Sequence, residues 1–105
     1  MHPAYAERLA RTEAHETMIT RAFSGRLGRS IATRYTRAAM AENAPVPAPY
    51  PVQRGLTAPM RTAAAREGDV ERLQAWAGQS AALARAEPAA ELAQRLWDEA
   101  QASIR

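Results

Sequence analysis

Residues 17–30 read Thr-Met-Ile-Thr-Arg-Ala-Phe-Ser-Gly-Arg-Leu-Gly-Arg-Ser. Their first half, residues 17–23, is rich in β-branched side chains and partly alternates apolar with polar positions, which predicts a short extended segment. The pair Ser24-Gly25 ends that segment because a glycine after a small polar residue is typical of a turn.

We predict helices on both sides of the extended segment. Pro3 can occupy the first turn of a helix, and apolar side chains then recur at helical spacing to about Thr12. After the turn, apolar side chains recur every four residues from Leu27, which predicts a second helix to about Glu42, capped by Ser24 or Ser30.

A proline-rich connector follows at residues 43–51, where four prolines exclude both a helix and an inner strand. Three helices are then expected before the last one: from Thr57 to Gly68, from Asp69 to Gly78, and a short one over residues 81–86.

The final helix opens at Glu87-Pro88 and has the clearest periodicity in the chain. One face is apolar, and Glu91 and Arg95 are expected to pair on the other. The apolar positions are Ala89, Leu92, Ala93, Leu96, Trp97, Ala100 and Ile104.

These elements predict an all-α fold of several short helices with a Pro-rich connector. We divide the chain into residues 1–43, the connector 44–54 and the helical C-terminal segment 55–105, which together form one domain or part of one.

The chain is 47% hydrophobic, but 26 of its residues are Ala and only 14 are Leu, Ile, Val or Phe. We therefore expect a thin core whose stability depends on a partner surface.

The composition excludes several classes of function. All 14 basic residues are Arg, and they are interleaved with 11 acidic residues, which favours a solvated surface over a dedicated nucleic-acid face. There is no Cys for a disulfide or a thiolate nucleophile. Neither a signal peptide nor a stretch of about 20 apolar residues is present, so we expect a cytoplasmic protein. His2 and His15 have no metal-binding spacing, and no catalytic or metal-ligating residue is predicted.

Two segments could nevertheless contribute to a site. Residues 24–30 gather glycines, arginines and hydroxyls before a predicted helix, which suits either an anion site or an ordinary capped helix start. In Trp76-Ala77-Gly78-Gln79, the ring and the amide could line a pocket for a flat ligand, or the segment could be an interhelical turn with Trp76 in the core.

Three motifs, taken in order, resemble the C-terminal third of bacterial nitronate monooxygenases, the 2-nitropropane dioxygenase family. They are residues 20–26, residues 48–53 together with 56–59, and residues 76–79. The resemblance implies the helical part that packs on an FMN-binding TIM barrel in enzymes that oxidise alkyl nitronates with O₂. It also implies that six residues contact the flavin edge or the substrate pocket: Ser24, Gly25, Arg26, Trp76, Gly78 and Gln79.

The family's phosphate loops, catalytic histidine and Gly-Thr-Arg-Phe motif have no counterpart in these residues. The resemblance therefore implies a part of an enzyme that does not bind FMN or act alone, and that associates with a barrel-bearing chain or with itself. A small nitro compound would be the substrate of the complete enzyme. The alternative is a small basic helical binding or oligomerisation module that binds phosphates or nucleic acid through Arg21, Arg26, Arg29, Arg34 and Arg37.

Overall fold

The structure, a computed structural model, describes residues 1–104 and combines four helices with one two-stranded antiparallel sheet. The elements, in chain order, are α1 (Pro3–Ala10), β1 (Thr17–Thr20), β2 (Gly28–Ile31), α2 (Arg34–Ala39), α3 (Val52–Glu67) and α4 (Ala89–Ser103). Two short 3₁₀ turns cover Ala14–Glu16 and Ala81–Leu83. Among these residues, none of the helices combines the length and the apolar character needed to cross a bilayer.

The predicted all-α fold is wrong because β1 and β2 form an antiparallel hairpin. Thr17 lies opposite Ile31 and Thr20 lies opposite Gly28. Four residues near the start of the helix predicted from Leu27 are therefore strand, because a spacing of four residues fits the two-residue period of a strand as well as a helical turn. The helix starts only at Arg34, where Thr33 and Thr36 form a capping box.

The helix predicted after Asp69 is also wrong. Its second half, residues 75–77, is extended and lies along the free edge of β2. The Ile31 N–H donates to the Ala75 carbonyl at 2.9 Å, and the Ala77 N–H donates to the Arg29 carbonyl at 3.1 Å. This third, strand-like segment satisfies backbone groups that β2 would otherwise leave unpaired in the core.

The other helices lie close to their predicted positions. α3 begins at Val52 rather than at Thr57, because the Thr57 hydroxyl bonds to the carbonyl of Phe23 in the hairpin turn instead of capping a helix. Gly68 ends α3 in the left-handed conformation, with φ of 68°. α4 agrees with the periodicity of the sequence, but the expected Glu91–Arg95 pair is replaced by bonds from Arg95 to Glu87 and Glu99.

The core contains few large side chains. Phe23 and Ile31 are the largest apolar residues that are fully buried, and the remaining buried positions are mostly Ala and Thr. The buried hydroxyls are paired: Thr12 donates to the Arg8 carbonyl one turn earlier at 2.6 Å, and Thr57 donates to the distant Phe23 carbonyl at 2.7 Å. Pairing of this kind is required because an unbonded hydroxyl in the interior is destabilising.

Glu71 joins three parts of the fold. Its carboxylate accepts from the backbone N–H of Arg34 at 2.6 Å and from the Arg8 guanidinium at 3.1 Å. The Arg34 bond is the largest influence on the pKa of Glu71, which lies below its ordinary value. A lowered pKa in the folded state means that the carboxylate stabilises the fold above its unfolded pKa and loses this contribution as the pH falls through its folded pKa.

We expect Glu71→Gln to lower the melting temperature at pH 7, by an amount equivalent to about 1 kcal/mol or less because the carboxylate is partly exposed. The difference from the parent should shrink as the pH falls below the usual carboxyl range, since both proteins then carry a neutral side chain. Thermal unfolding followed by circular dichroism from pH 7 to pH 3 measures this, with Glu91→Gln on α4 as the control. A loss of stability that does not change with pH would contradict the ionic role.

Candidate functional site

The candidate site is built on the turn between β1 and β2, residues 21–27. Within it, Phe23 is fully buried and Gly25 has a φ of 91°, a conformation that residues with a Cβ rarely adopt. The Gly25 N–H donates to the Arg21 carbonyl at 2.8 Å and closes the turn. The motif Ser24-Gly25-Arg26 therefore lies at the outer end of a hairpin rather than at the start of a helix.

Side chains from other elements hold this turn through its carbonyl groups. The carbonyl of Ala22 accepts from the Tyr35 hydroxyl at 2.7 Å and from the Gln53 amide at 2.8 Å. The Gln53 amide oxygen in turn accepts from the backbone N–H of Ala48 at 3.0 Å. Thr57 on α3 donates to the next carbonyl, that of Phe23. The turn is therefore held by residues of α2, α3 and the proline-rich connector.

The connector also packs directly on the turn. A Cβ added at Gly25 would lie 2.5 Å from the Tyr50 nitrogen and 2.7 Å from the Ala48 oxygen, so only a glycine fits. The Arg26 guanidinium lies over the Tyr50 ring, 4.1 Å from its centroid, in a cation–π contact. The first two sequence motifs are therefore in contact.

Trp76 contacts the same hairpin at Gly28. A Cβ added at Gly28 would lie 2.7 Å from Cζ3 of the indole, so the ring rests directly on this glycine. The indole also meets the Phe23 ring edge-on at 5.7 Å, and Phe23 packs against Tyr35 at 5.1 Å. Trp76 keeps 36% of its surface exposed. It belongs to an extended segment beside the core, not to an interhelical turn.

The Trp76 backbone is held as well. Its carbonyl accepts a short hydrogen bond from the Tyr5 hydroxyl on α1, and burial raises the pKa of that phenol. The neighbouring carbonyl of Ala75 accepts from the Ser30 hydroxyl at 3.0 Å. The position of the indole is therefore fixed by side chains from α1 and β2.

The six predicted residues are not equivalent in this arrangement. The Ser24 hydroxyl accepts from the Arg26 N–H at 3.2 Å, so the backbone donors of Gly25 and Arg26 are both already paired and are not free for an anion. The Arg26 side chain is exposed. Gly78 and Gln79 are exposed too, with open space around the Gly78 Cα. The structure brings Trp76 and the Ser24–Arg26 turn onto one hairpin and places Gly78 and Gln79 just beyond it.

Gly28 and Gln53 lie in segments that the sequence singled out, residues 24–30 and 48–53, but neither is among the six assigned residues, and the adjoining cleft was not predicted. The cleft, of about 470 Å³, lies between the connector and α2 and is mostly apolar. Its lining includes Tyr35, Ala38, Val46, Gln53 and Leu56. For Gly28, the one sequence signal was the glycine itself, because a residue without a Cβ allows another side chain, here Trp76, to lie directly against the backbone.

The histidines have local roles. His2 caps α1 by accepting from the Ala4 N–H at 3.1 Å, and its ring lies against Gly68. His15 is exposed, 3.4 Å from the Glu13 carboxylate, and with Glu16 these groups could converge on one point. Glu16 already accepts from the Glu13 N–H, so its carboxylate serves the 3₁₀ turn.

Residues 1–99 match the family model described as nitronate monooxygenase. The chain belongs to the nitronate monooxygenase family. It is 40% identical over 100 residues to a nitronate monooxygenase of Paraburkholderia phytofirmans, covering 95% of this chain and 27% of that protein. It is 43% identical over 74 residues to a probable nitronate monooxygenase of Staphylococcus aureus, covering 70% of this chain and 21% of that protein.

A solved structure extends the likeness to three dimensions. The nitroalkane oxidase from Streptomyces ansochromogenes superposes with a TM-score of 0.84 at 36% identity, over 99% of this chain and 30% of that chain. This nitronate monooxygenase family member thus spans about a quarter of the length of the relatives it matches.

We expect Gly28→Ala to displace the Trp76 indole, because the new methyl group would overlap the ring. The clash should destabilise the fold by about 1–3 kcal/mol. In a Trp97→Phe background, the emission of Trp76 should shift to longer wavelength and the urea midpoint should fall. Gly55→Ala in α3 is the matched control, because a Cβ added at this position has no neighbouring atom within 4 Å. Unchanged Trp76 emission in Gly28→Ala would refute the contact.

Proposed function

We propose that this chain forms one wall of the active site in an FMN-dependent enzyme that oxidises alkyl nitronates with O₂. The observation that carries the proposal is the family match over residues 1–99, combined with a turn and an indole that are held on the same hairpin. The barrel and the rest of the site would come from the larger part of a family member that lies outside the matched region. That part would be supplied in the same polypeptide or by a barrel-bearing partner.

The exposed groups suit contact with a flat, polar-edged ligand. Trp76 offers part of an indole, Arg26 offers a guanidinium, and Ser24 retains a hydroxyl proton to donate. The paired backbone donors of Gly25 and Arg26 argue against a phosphate cradle in this turn, so these side chains are assigned to the flavin ring edge or the substrate pocket. FMN, when bound, supplies the electron transfer between nitronate and O₂.

Arg26 is the residue that we assign to the substrate. An alkyl nitronate is an anion, and a guanidinium at the edge of an apolar wall would attract and orient it. The ring of Tyr50 beneath Arg26 limits the directions that the guanidinium can take. Trp76 would exclude water from the same side, and Gly78 and Gln79 would extend the rim.

A neutral nitroalkane would have to lose a proton before it is oxidised, and we assign that proton abstraction to a residue outside this chain. His2 is occupied at the start of α1, and His15 lies on a 3₁₀ turn beside two carboxylates. A general base must be within hydrogen-bond reach of the proton that it removes. A nitronate is already deprotonated, but its oxidation needs FMN, and the barrel that would hold FMN lies outside the matched region. We therefore expect the 105 residues alone to show no nitronate oxidation.

The test is a complete chimeric enzyme in which this chain replaces the matched region of the Paraburkholderia phytofirmans relative. We expect it to bind FMN and to oxidise a short alkyl nitronate with O₂. Arg26→Gln should raise the KM for the nitronate about tenfold with less effect on kcat, as expected for the loss of a charge-assisted bond worth at least about 1.4 kcal/mol.

Arg66→Gln, an exposed position near the end of α3, is the control and should leave both constants unchanged. The proposal fails if the chimera binds no FMN. It also fails if the active chimera tolerates both Arg26→Gln and Trp76→Ala without a change in KM or kcat.

A further inference from the structure

Gln53 links the proline-rich connector to the hairpin turn through both ends of its side-chain amide. The amide oxygen accepts from the Ala48 N–H at 3.0 Å, and the amide nitrogen donates to the Ala22 carbonyl at 2.8 Å. A backbone N–H can only donate and a carbonyl can only accept, so the group between them must do both. An amide does this, whereas a carboxylate or an apolar side chain of similar length does not.

Gln53 also closes the loop that carries Tyr50. Its backbone N–H donates to the Pro49 carbonyl at 3.3 Å, while its side chain accepts from the Ala48 N–H. Gln53 therefore bonds to both of the residues that directly precede Tyr50. Because a proline has no N–H, residues 45–51 contain only three backbone donors, and the loop has few other hydrogen bonds that could fix its shape.

The direction of the Arg26 side chain depends on the same loop. Within residues 1–104, the Arg26 guanidinium forms no ion pair with a carboxylate. It lies over the Tyr50 ring, 4.1 Å from the centroid, and the Arg26 side chain is otherwise exposed. A shift of this ring would therefore leave the guanidinium free to take other directions.

The loop and the turn lie too close together to move independently. A Cβ added at Gly25 would lie 2.8 Å from the Pro49 carbonyl carbon and 2.5 Å from the Tyr50 nitrogen. Gly25 directly precedes Arg26 in the chain. The Gln53 amide, which bonds to both segments, therefore fixes the spacing between the Arg26 backbone and the Tyr50 ring.

We propose that Gln53 is a positioning residue that sets the direction of the Arg26 guanidinium toward the nitronate, through the loop that carries Tyr50. This inference rests on the proposed function, in which Arg26 meets the substrate. Gln53 acts through Arg26 and not on the substrate, because both ends of its amide are bonded to backbone groups. A guanidinium that is already directed loses less conformational freedom on binding, so the effect falls on substrate affinity.

The test uses the complete chimera described above. Methionine has a similar length to glutamine but forms neither bond, so Gln53→Met should raise the KM for a short alkyl nitronate. We expect an increase of about threefold to tenfold with little change in kcat, no larger than that of Arg26→Gln. In the Arg26→Gln background, Gln53→Met should change the KM by less than about twofold, because no guanidinium is left to direct.

Three further variants separate this role from a general loss of stability. Thr12→Val removes another buried bond to a backbone carbonyl, outside the turn, and should lower the melting temperature without changing the KM. Gln101→Met, at an exposed position on α4, should change neither. Gln53→Asn keeps an amide that is one methylene too short to reach both partners, and it should reproduce the rise in KM.

Proton NMR of the free 105-residue chain tests the orientation without the chimera. The Tyr50 ring current should move the Arg26 δ-protons upfield in the parent protein. Gln53→Met should return them toward their positions in an unfolded peptide, while Thr12→Val should leave them upfield. Circular dichroism verifies that each variant is folded.

The outcomes separate this inference from the proposed function. In an active chimera whose KM rises in Arg26→Gln, an unchanged KM in Gln53→Met overturns the positioning role and leaves the function standing. So does an equal effect of Gln53→Met with and without Arg26, or an upfield shift that persists in folded Gln53→Met. If the chimera binds no FMN, the proposed function fails, and loss of the shift in the free chain still supports the control of Arg26 by Gln53.

Discussion

The contact between the Trp76 indole and Gly28 is the constraint on which the rest of the fold depends. It brings a residue from the second half of the chain onto the hairpin. The flanking backbone hydrogen bonds, from Ile31 to Ala75 and from Ala77 to Arg29, hold residues 75–77 beside β2 as a third, strand-like segment. Phe23 then becomes enclosed between two aromatic rings. Because α1 and α2 are tied to this arrangement by Tyr5 and Glu71, the hairpin organises most of the molecule.

Because the chain has few large apolar side chains, a small number of contacts provides most of its hydrophobic stabilisation. A core of Ala and Thr buries little apolar area per residue, so the hydrophobic contribution is concentrated in Phe23, Ile31 and Trp76. The carbonyls of the turn are hydrogen-bonded as well, that of Phe23 by Thr57 and that of Ala22 by Tyr35 and Gln53. Such a network specifies geometry well because each partner must be correctly placed. The turn that carries Ser24, Gly25 and Arg26 is held mainly in this way.

The sequence predicted the elements whose signals are local. The periodicity of the apolar residues predicted the final amphipathic helix, α4. The glycine at position 68 predicted the end of α3, because glycine readily adopts the left-handed conformation that Gly68 has there. The first strand, β1, lies within the extended segment predicted for residues 17–23, but its partner β2 was missed because the spacing of Leu27 and Ile31 fits both a strand and a helix. The segment around Trp76 was missed because its strand-like state depends on a distant edge, which propensity cannot register.

In the candidate site too, some features were predicted from the sequence and others depend on contacts between distant residues. Family resemblance pointed to residues 24–26 and 76–79, but nothing in their spacing indicated that Gly28 would seat the indole or that Gln53 would join the turn to the connector. The same resemblance predicted association with a partner, and this stays a prediction. The fold thus brings the turn and the indole of the proposed wall together on one hairpin within the chain.

The claim that this wall is assembled within the chain is tested most directly by proton NMR of the 105-residue protein in solution. Nuclear Overhauser effects should connect the Gly28 α-protons with the Trp76 ring protons, and the ring current should move at least one Gly28 α-proton well upfield of its position in an unfolded peptide. Gly28 α-protons at unfolded positions, without contacts to the Trp76 ring in a folded chain, would contradict a preassembled wall.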